Sequence, residues 1–204
     1  MIGVVDYGFG NIKAIGNIYK TLNVPFLIAQ KPEDLEKADK FILPGVGAFD
    51  SAMKALIDSG MKDALETLVI KDKKPVLGIC VGMQLLANAS DEGELPGLGW
   101  VPGKIKKFDP TIAGNIQIPH MGWNSINTVK NDILFNGVDL NQGYYFLHSY
   151  YFLNDNPQDA IAMADHGVTF CCSVKSDNVL GVQFHPEKSH ANGIQLLKNF
   201  SDAV

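Results

Sequence analysis

The chain has 204 residues, 46% of them hydrophobic and 19% charged, and its formal net charge is −5. This size can bury a full core, and no apolar run approaches the roughly 18 residues that a bilayer-spanning segment needs. The acidic balance argues against nucleic acid as the main partner. Three cysteines, an odd number without disulfide-like spacing, predict a cytoplasmic protein.

The first part of the sequence predicts strands that alternate with helices. Apolar runs predict three strands, over residues 2–6, 25–29 and 41–43. Asn11 is a suitable N-cap for a helix whose apolar residues recur at helical spacing, and Pro32 opens a short helix that runs through Lys37. The order β-α-β-α-β is typical of a parallel, doubly wound sheet.

Residues 75–86 predict a reactive cysteine where a strand turns into a helix. The strand is an apolar run, and the helix has the apolar positions Met83, Leu85, Leu86 and Ala89. Cys80 lies at the junction between Gly78 and Gly82, which is the spacing of a nucleophile elbow with Cys in place of Ser. Glycine permits so sharp a turn because it lacks a Cβ atom, and a helix N-terminus favours a thiolate. The alternative is a small core residue, as most intracellular cysteines are.

The rest of the chain completes the predicted fold. Residues 53–68 predict one or two helices, and the loops 44–49 and 80–82 leave strands at the edge where open α/β sheets bind ligands. Short alternating runs predict a largely antiparallel second half, with strands over residues 100–108, 115–119, 144–152, 160–165, 168–175 and 179–184. A last helix is predicted from about Ala191 to Ala203. We therefore expect an α/β fold, an open and mostly parallel sheet with flanking helices plus an antiparallel second half, in a single domain over residues 1–204.

A base for the cysteine is suggested by the stretch Gln183-Phe-His185-Pro-Glu187. A thiolate nucleophile needs a base, and the base usually needs a group that orients it. The residue before proline is held extended, so His185 and Glu187 are expected to point to the same side of an extended segment. If that side faces Cys80, the three form a Cys-His-Glu triad. A loop histidine beside a surface glutamate fits the residue types equally well.

A tetrahedral intermediate also needs hydrogen-bond donors for its oxyanion. The loop Pro44-Gly-Val46-Gly47 could supply a backbone N–H, and Val81, the residue after the cysteine, could supply another. The alternatives for this loop are a tight turn or half of a dinucleotide fingerprint. The fingerprint fails because no third glycine follows.

Metal and cofactor sites are not expected. Cys171 and Cys172 are adjacent on a predicted strand and so point to opposite faces, and no pair of CxxC motifs is present. His120 and His148 stand alone in apolar contexts, where a structural or interface role is favoured over metal binding. No Walker motif is present, which argues against nucleotide hydrolysis.

The motifs resemble a known family. Three stretches are similar to those of class I (triad-type) glutamine amidotransferases, which have a flavodoxin-like fold. They are the stretch around Cys80, the Pro44–Phe49 loop and the His185-Pro-Glu187-Lys-Ser189 segment. The stretches Ile118–Asn124 and Tyr145–Tyr151 resemble, within that class, the glutaminase subunits of imidazole glycerol phosphate synthases. The resemblance covers nearly the whole chain.

The resemblance implies an activity, a partner and roles for particular residues. The subunit hydrolyses L-glutamine to glutamate and passes ammonia to a synthase (cyclase) subunit, a (β/α)8 barrel, in a heterodimer of histidine biosynthesis. No cofactor is implied. Glutamine contacts are implied for Gly47, Gln84, Glu92, Ser149 and Tyr150. Docking on the barrel is implied for Asn11, Pro119, Met121, Trp123 and Asn124, although an ordinary core position is the simpler interpretation of Trp123 alone.

Three alternatives remain open at this point. Val81 stands where the family more often has Leu, and Ser90-Asp-Glu92-Gly replaces a more common Ser-Glu-Glu, but neither departure touches the triad. A paralogous subunit that supplies ammonia for amidine formation on a surface-polysaccharide sugar would keep the same motifs. A non-catalytic binding domain would have lost the nucleophile, and Gln84 favours glutamine over the peptide substrate of a cysteine peptidase.

Overall fold

The structure is a computed structural model that describes residues 1–111 and 116–202. Its strands are β1 (Ile2–Val5), β2 (Phe26–Ala29), β3 (Lys40–Gly45), β4 (Val76–Cys80), β5 (Ala89–Ser90), β6 (Gly103–Lys107), β7 (His120–Asn124), β8 (Asn127–Thr128), β9 (Tyr144–His148), β10 (Tyr150–Asn154), β11 (Ala160–Asp165), β12 (Thr169–Ser176) and β13 (Val179–Val182). Its α-helices are α1 (Ile12–Thr21), α2 (Pro32–Leu35), α3 (Phe49–Asp58), α4 (Met61–Leu65), α5 (Val81–Gln84) and α6 (His190–Asp202), and α4 continues into a π-helical segment, Glu66–Lys71.

Parallel strands form one half of the main sheet. Their order is β2-β1-β3-β4-β13, and each neighbouring pair in this run is parallel. β4 and β13 are buried along their whole length, as their unbroken apolar sequences require in a sheet that is covered on both faces. Because the strands are parallel, the chain segments that follow Gly45, Cys80 and Val182 all leave the sheet at the same edge.

Antiparallel strands form the other half, as the short alternating runs predict. β12 pairs antiparallel with β13 and with β10, and β10 pairs antiparallel with β6. β11 and β8 lie off this path, and β5 joins β6 in a short parallel pair. The mixed α/β architecture with a mostly parallel first half is therefore confirmed.

A second, two-stranded sheet stands beside the main one. β7 and β9 pair antiparallel, in a register that sets His120 opposite His148 and Trp123 opposite Tyr145. This register places the two segments most specific to the resembled subunits side by side.

Several predicted boundaries are wrong. The strand predicted over 115–119 begins instead at His120, and residue 115 lies outside the described residues. The strand predicted over 144–152 is two strands interrupted at Ser149. The short helix after Pro32 ends at Leu35, before Lys37.

The helix after the cysteine is also shorter than predicted. It ends at Gln84, and Ala89 lies in β5 instead of on the helix. Asn88 ends the helical pattern, because its N–H donates to Gly103 O at 3.0 Å while its Oδ1 accepts from Gly103 N at 2.9 Å. A long-range backbone pairing therefore overrides the local apolar spacing.

The last helix begins at His190, and the predicted end at Ala203 lies outside the described residues. Within the described residues, no helix is both long enough and apolar enough to cross a membrane.

Candidate functional site

The turn after β4 holds Cys80 in a conformation that few residues adopt. Its φ is +57° and its ψ is −115°, which is strained for a residue with a side chain. A Cβ on Gly78 would lie 2.6 Å from the Gly82 carbonyl oxygen, and a Cβ on Gly82 would overlap the Leu43 carbonyl oxygen. Only glycine fits at both positions, so the spacing seen in the sequence is a steric requirement of this elbow.

The predicted oxyanion loop lies directly against the elbow. Gly45 is paired with Cys80 at the last position of the β3–β4 ladder, so the loop begins beside the sulfur-bearing residue. The Tyr7 hydroxyl donates to Pro44 O at 2.7 Å and anchors the start of the loop. Val46 and Gly47, together with Val81 from α5, line the same cavity as Cys80.

His185 and Glu187 are joined by a hydrogen bond in a buried position. The distance from His185 Nδ1 to Glu187 Oε1 is 2.9 Å, and the two side chains are only 4% and 2% exposed. His185 is extended, as expected before proline, but the chain then forms a 3₁₀ turn over Pro186–Lys188. The predicted extended segment is thus wrong beyond His185, and it is this turn that brings Glu187 back to the imidazole.

The environment of His185 favours its charged form. Burial lowers the pKa of His185, but the neighbouring side chains of Cys80 and Glu187 raise it by more, to about 10. The imidazole is therefore protonated at neutral pH when an anionic sulfur and carboxylate flank it. A charged imidazole beside the sulfur is what a Cys-His pair needs if His185 is to hold the proton of Cys80.

Two amide side chains complete the surroundings of the sulfur: Gln84, for which the resemblance implies a glutamine contact, and Gln183, which the sequence did not single out. Gln183 Nε2 lies 3.8 Å from Cys80 Sγ, and Gln84 Nε2 donates to Gln183 Oε1 at 3.1 Å. Cys80 Sγ also lies within donating distance of Leu147 O, at 3.9 Å. Gln183 was visible in the Gln-Phe-His motif, but no sequence signal places it beside the cysteine.

A cavity of about 290 Å³ opens above Cys80. That volume is close to the lower end of the range for small-molecule sites. The cavity is lined by every residue for which the resemblance implies a glutamine contact: Gly47, Gln84, Glu92, Ser149 and Tyr150. Leu147, His148 and Lys188 line it as well and were not predicted.

Glu92 is tied to the helix that follows the oxyanion loop. Its Oε2 accepts from Phe49 N at 3.0 Å, at the start of α3. In return, the Asp50 carboxylate accepts from the backbone N–H groups of Glu94 at 2.9 Å and Leu95 at 3.1 Å. The first of these bonds satisfies one free N–H group at the N-terminus of α3, and the three together hold the Glu92 loop against that helix.

His120 and His148, which sequence reasoning treated as isolated, form a pair. His120 Nδ1 and His148 Nε2 are 2.9 Å apart, and His148 Nδ1 lies 2.7 Å from Tyr150 O. A carbonyl can only accept, so His148 carries its proton on Nδ1 and its Nε2 accepts from His120. Burial lowers the pKa of His120 to about 4 and that of His148 to about 3, so both rings are neutral.

An exposed apolar surface lies beside the cavity, on the small sheet. Met121 is 59% exposed and Trp123 is 49% exposed, so the simpler interpretation of Trp123 as a core residue is wrong. The indole stacks on His190 with ring centroids 5.2 Å apart and meets Tyr145 edge-on. Trp123 is thus held rigidly while its outer face remains uncovered.

The other residues with an implied docking role lie around this surface and the cavity. Pro119 lines the cavity that contains Cys80. Asn124 Nδ2 donates to Asp165 O at 2.7 Å. Asn11 lines a second cavity of about 240 Å³ that is also lined by His185 and Glu187. In residues 1–111 and 116–202, no three His, Cys, Asp or Glu side chains are grouped to hold a metal ion.

Comparison with known proteins gives matches over the whole chain. Residues 4–204 match the family described as "Glutamine amidotransferase class-I". The chain is 56% identical to "Imidazole glycerol phosphate synthase subunit HisH" of Bdellovibrio bacteriovorus over 204 residues, 99% of this chain and 100% of that protein. It is 47% identical to the protein of the same name from Leptospira borgpetersenii over 202 residues, 98% of this chain and 99% of that one.

Solved structures share the fold at much lower identity. The structure of PurLQS from Thermotoga maritima superposes with a TM-score of 0.73 at 16% identity, covering 98% of this chain and 97% of that chain.

Proposed function

Since the chain belongs to the class I glutamine amidotransferase family, we propose that its Cys80 cavity hydrolyses L-glutamine to glutamate and ammonia. The observation that carries this proposal is the placement of a strained Cys80, a buried His185–Glu187 pair and the Val46–Gly47 loop around one cavity. No metal or cofactor is needed for this chemistry. The catalytic unit is the single domain over residues 1–204.

The reaction proceeds in two halves. The Cys80 thiolate attacks the carboxamide carbon of glutamine, and the oxyanion accepts hydrogen bonds from backbone N–H groups of Val46, Gly47 and Val81. Protonated His185 gives its proton to the departing nitrogen, so ammonia leaves and a γ-glutamyl thioester remains. His185, held by Glu187, then takes a proton from water, which hydrolyses the thioester to glutamate and restores the thiol.

The glutamine is held by groups on the cavity wall. Ser149 and Tyr150, at the break between β9 and β10, bind its α-amino and carboxylate end. Gln84 and Glu92 contribute further contacts, and Glu92 is suited to them because one carboxylate oxygen is fixed by Phe49 N. The interruption between the two strands at Ser149 thus lies at the cavity wall, where both Ser149 and Tyr150 line it.

The ammonia is delivered to a second subunit. Two relatives that the chain matches over nearly its full length are named as subunits of imidazole glycerol phosphate synthase. We therefore assign this chain as the glutaminase subunit of that synthase in histidine biosynthesis. Nothing in the described residues favours the surface-polysaccharide alternative.

The partner in this proposal is a cyclase subunit with a (β/α)8 barrel, in a cytoplasmic heterodimer. It covers the surface formed by Met121 and Trp123, with Asn11, Pro119 and Asn124 at its margin. Large, rigidly held aromatic side chains are typical anchors of protein interfaces, and Trp123 has this character.

The experiment that tests the function measures glutamate formation by the chain alone and with its barrel subunit. We expect weak hydrolysis by the isolated chain and a large increase when the partner carries its own substrate, because the Val46–Gly47 loop is completed by the loaded complex. The partner should also form product from glutamine without added ammonia. Full activity of the isolated chain would contradict the coupling, and no glutamate under either condition would contradict the function.

Replacing Trp123 with alanine is expected to weaken docking far more than folding. The exposed indole contributes to the interface and little to the core, and a central aromatic anchor is worth about 2 kcal/mol or more, roughly 30-fold in affinity. Calorimetric titration against the barrel subunit measures this loss. Leu153→Ala, at another exposed apolar position on a strand, is the matched control. Equal affinity of the Trp123 variant and the parent would place the partner elsewhere.

A further inference from the structure

The Cys80 sulfur lies between two groups of opposite hydrogen-bonding character. Gln183 presents its amide nitrogen at 3.8 Å, and Leu147 presents its carbonyl oxygen at 3.9 Å. Gln183 is fully buried, and Cys80 is 3% exposed. A buried anion needs donors that compensate for lost water. Besides the neighbouring His185 imidazole, the Gln183 atom that faces the sulfur therefore affects which form of Cys80 is stabilised.

The direction of this amide follows from a chain of contacts that begins at a backbone carbonyl. Tyr150 O can only accept, and it already lies 2.7 Å from His148 Nδ1. Gln84 must therefore present its NH₂ group to Tyr150 O, at 3.3 Å, and the same nitrogen reaches Gln183 Oε1 at 3.1 Å. Reversing Gln84 would set its oxygen against the Tyr150 oxygen.

The oxygen of Gln183 is thereby engaged, and its NH₂ group is left facing Cys80 Sγ. Reversing Gln183 would bring two NH₂ groups together and turn its oxygen toward the sulfur. The orientation of the Gln183 amide is thus set by the hydrogen-bond network. A donor is held at the sulfur before any substrate arrives.

We propose that Gln183 is a further catalytic residue, whose Nε2–H donates a hydrogen bond to the Cys80 thiolate, while Leu147 O accepts a hydrogen bond from the S–H group of the resting thiol. The proposal rests on the assignment of Cys80 as the nucleophile. The amide thus adds a donor to the charged imidazole of His185, which also hydrogen-bonds to the sulfur, and the Leu147 carbonyl accepts when the sulfur is protonated. An amide suits this place because it carries no proton that it can release, so His185 remains the acid that protonates the departing ammonia.

A purely structural role for Gln183 makes a different prediction. Its backbone N–H already donates to Cys172 O at 2.9 Å in the strand ladder, so the side chain is not needed to hold the backbone in place. If the amide only filled space, an isosteric side chain without a donor would leave the reactivity of Cys80 unchanged. If it donates to the sulfur, the same change would make the thiolate scarcer at neutral pH.

The test is the rate at which iodoacetamide alkylates Cys80 in the folded chain, followed by mass spectrometry of the Cys80 peptide. Burial raises the pKa of Cys171 to about 12 and that of Cys172 well above its usual value, so these thiols do not compete. In Gln183→Met, loss of a hydrogen bond to a charged group should lower the thiolate population about tenfold. The greater nucleophilicity of a more basic thiol offsets part of this, so alkylation at pH 7 should fall about three- to tenfold.

The control is Asn199→Leu, which removes another buried amide. Its Nδ2 donates to Leu134 O and Asn136 O, far from the cavity, so its loss should lower the melting temperature without changing the alkylation rate. The lower alkylation rate of Gln183→Met, relative to the parent, should disappear at a pH high enough to ionise Cys80 in both the variant and the parent. A melting temperature like that of the parent together with an unchanged rate at pH 7 would overturn the proposal.

A second variant covers the case in which Gln183→Met fails to fold. Gln84→Met frees the Gln183 amide to rotate, so alkylation should fall by a smaller factor, and an unchanged rate would again overturn the proposal.

The outcome of the alkylation experiment is separate from that of the test of the proposed function. If alkylation depends on Gln183 but the chain forms no glutamate, the Gln183 hydrogen bond is supported and the glutaminase function is contradicted. If the chain has normal glutaminase activity but alkylation does not depend on Gln183, the function is supported and the hydrogen bond is contradicted.

Discussion

Glutamine hydrolysis falls by at least about 10³-fold when Cys80 is replaced with alanine, because no other group in the cavity can form the thioester. The loss should be confined to the glutamine-dependent reaction. In the proposed synthase, ammonia is consumed in the other subunit, so the complex that contains the variant should still form product from added ammonium salts. Glutamate release and ammonium-dependent product formation, measured on the same preparation, test both halves of this expectation.

The variant should fold, because alanine removes one buried sulfur atom and leaves the neighbouring glycines in place. Cys171→Ala is a matched control, since it removes another buried thiol in β12, away from the cavity. It should keep full glutaminase activity at a slightly lower melting temperature. If the Cys80 variant released glutamate at the normal rate, the nucleophile would have to be another residue.

Replacing Glu187 with glutamine is expected to lower the glutaminase rate at pH 7 by about 10²- to 10⁴-fold, as losses of orienting carboxylates in other triads do. Glutamine keeps the shape of the side chain but removes the charge that helps to raise the pKa of His185 to about 10. The His185 imidazolium, the proposed acid for the departing ammonia, is then less stable. The alkaline limb of the pH–rate profile should therefore move to lower pH in the variant.

The same change should alter the pH dependence of stability. A raised pKa in the folded state means that protonated His185 stabilises the fold fully below its ordinary pKa of 6.5, and that this contribution is lost as pH rises toward about 10. The parent should therefore lose more of its free energy of unfolding between pH 6 and pH 9 than Glu187→Gln does. Denaturant titrations at the two pH values measure the difference.

Glu36→Gln, at an exposed position in the chain segment after α2, should match the parent in both experiments. An unshifted alkaline limb in Glu187→Gln would mean that Glu187 does not act on His185.

The parts of the site that the sequence could predict are those with a local steric cause. The elbow at Cys80 was predictable because glycines two residues away on either side are the only residues that fit its turn. The extended backbone at His185 was predictable because Pro186 imposes it. The loop at Gly47 was predictable because it follows an apolar strand in a parallel sheet.

The parts that could not be predicted depend on contacts between distant segments. The helix after Cys80 stops because Asn88 pairs with Gly103, and His120 meets His148 only through the register of β7 and β9. The orientation of Gln183 is set through Gln84, 99 positions away. Local spacing contains no information on such pairings, so these features needed the structure.

The position of β13 in the sheet has a consequence for synthesis on the ribosome. This strand is the last one in the chain, yet it lies between β4 and β12 in the middle of the main sheet. Until it emerges, the nascent chain carries Cys80 beside an unpaired strand edge, and exposed edges are templates for aggregation. The growing chain therefore lacks both the partner strand of β4 and His185 until residues 179–185 have been translated.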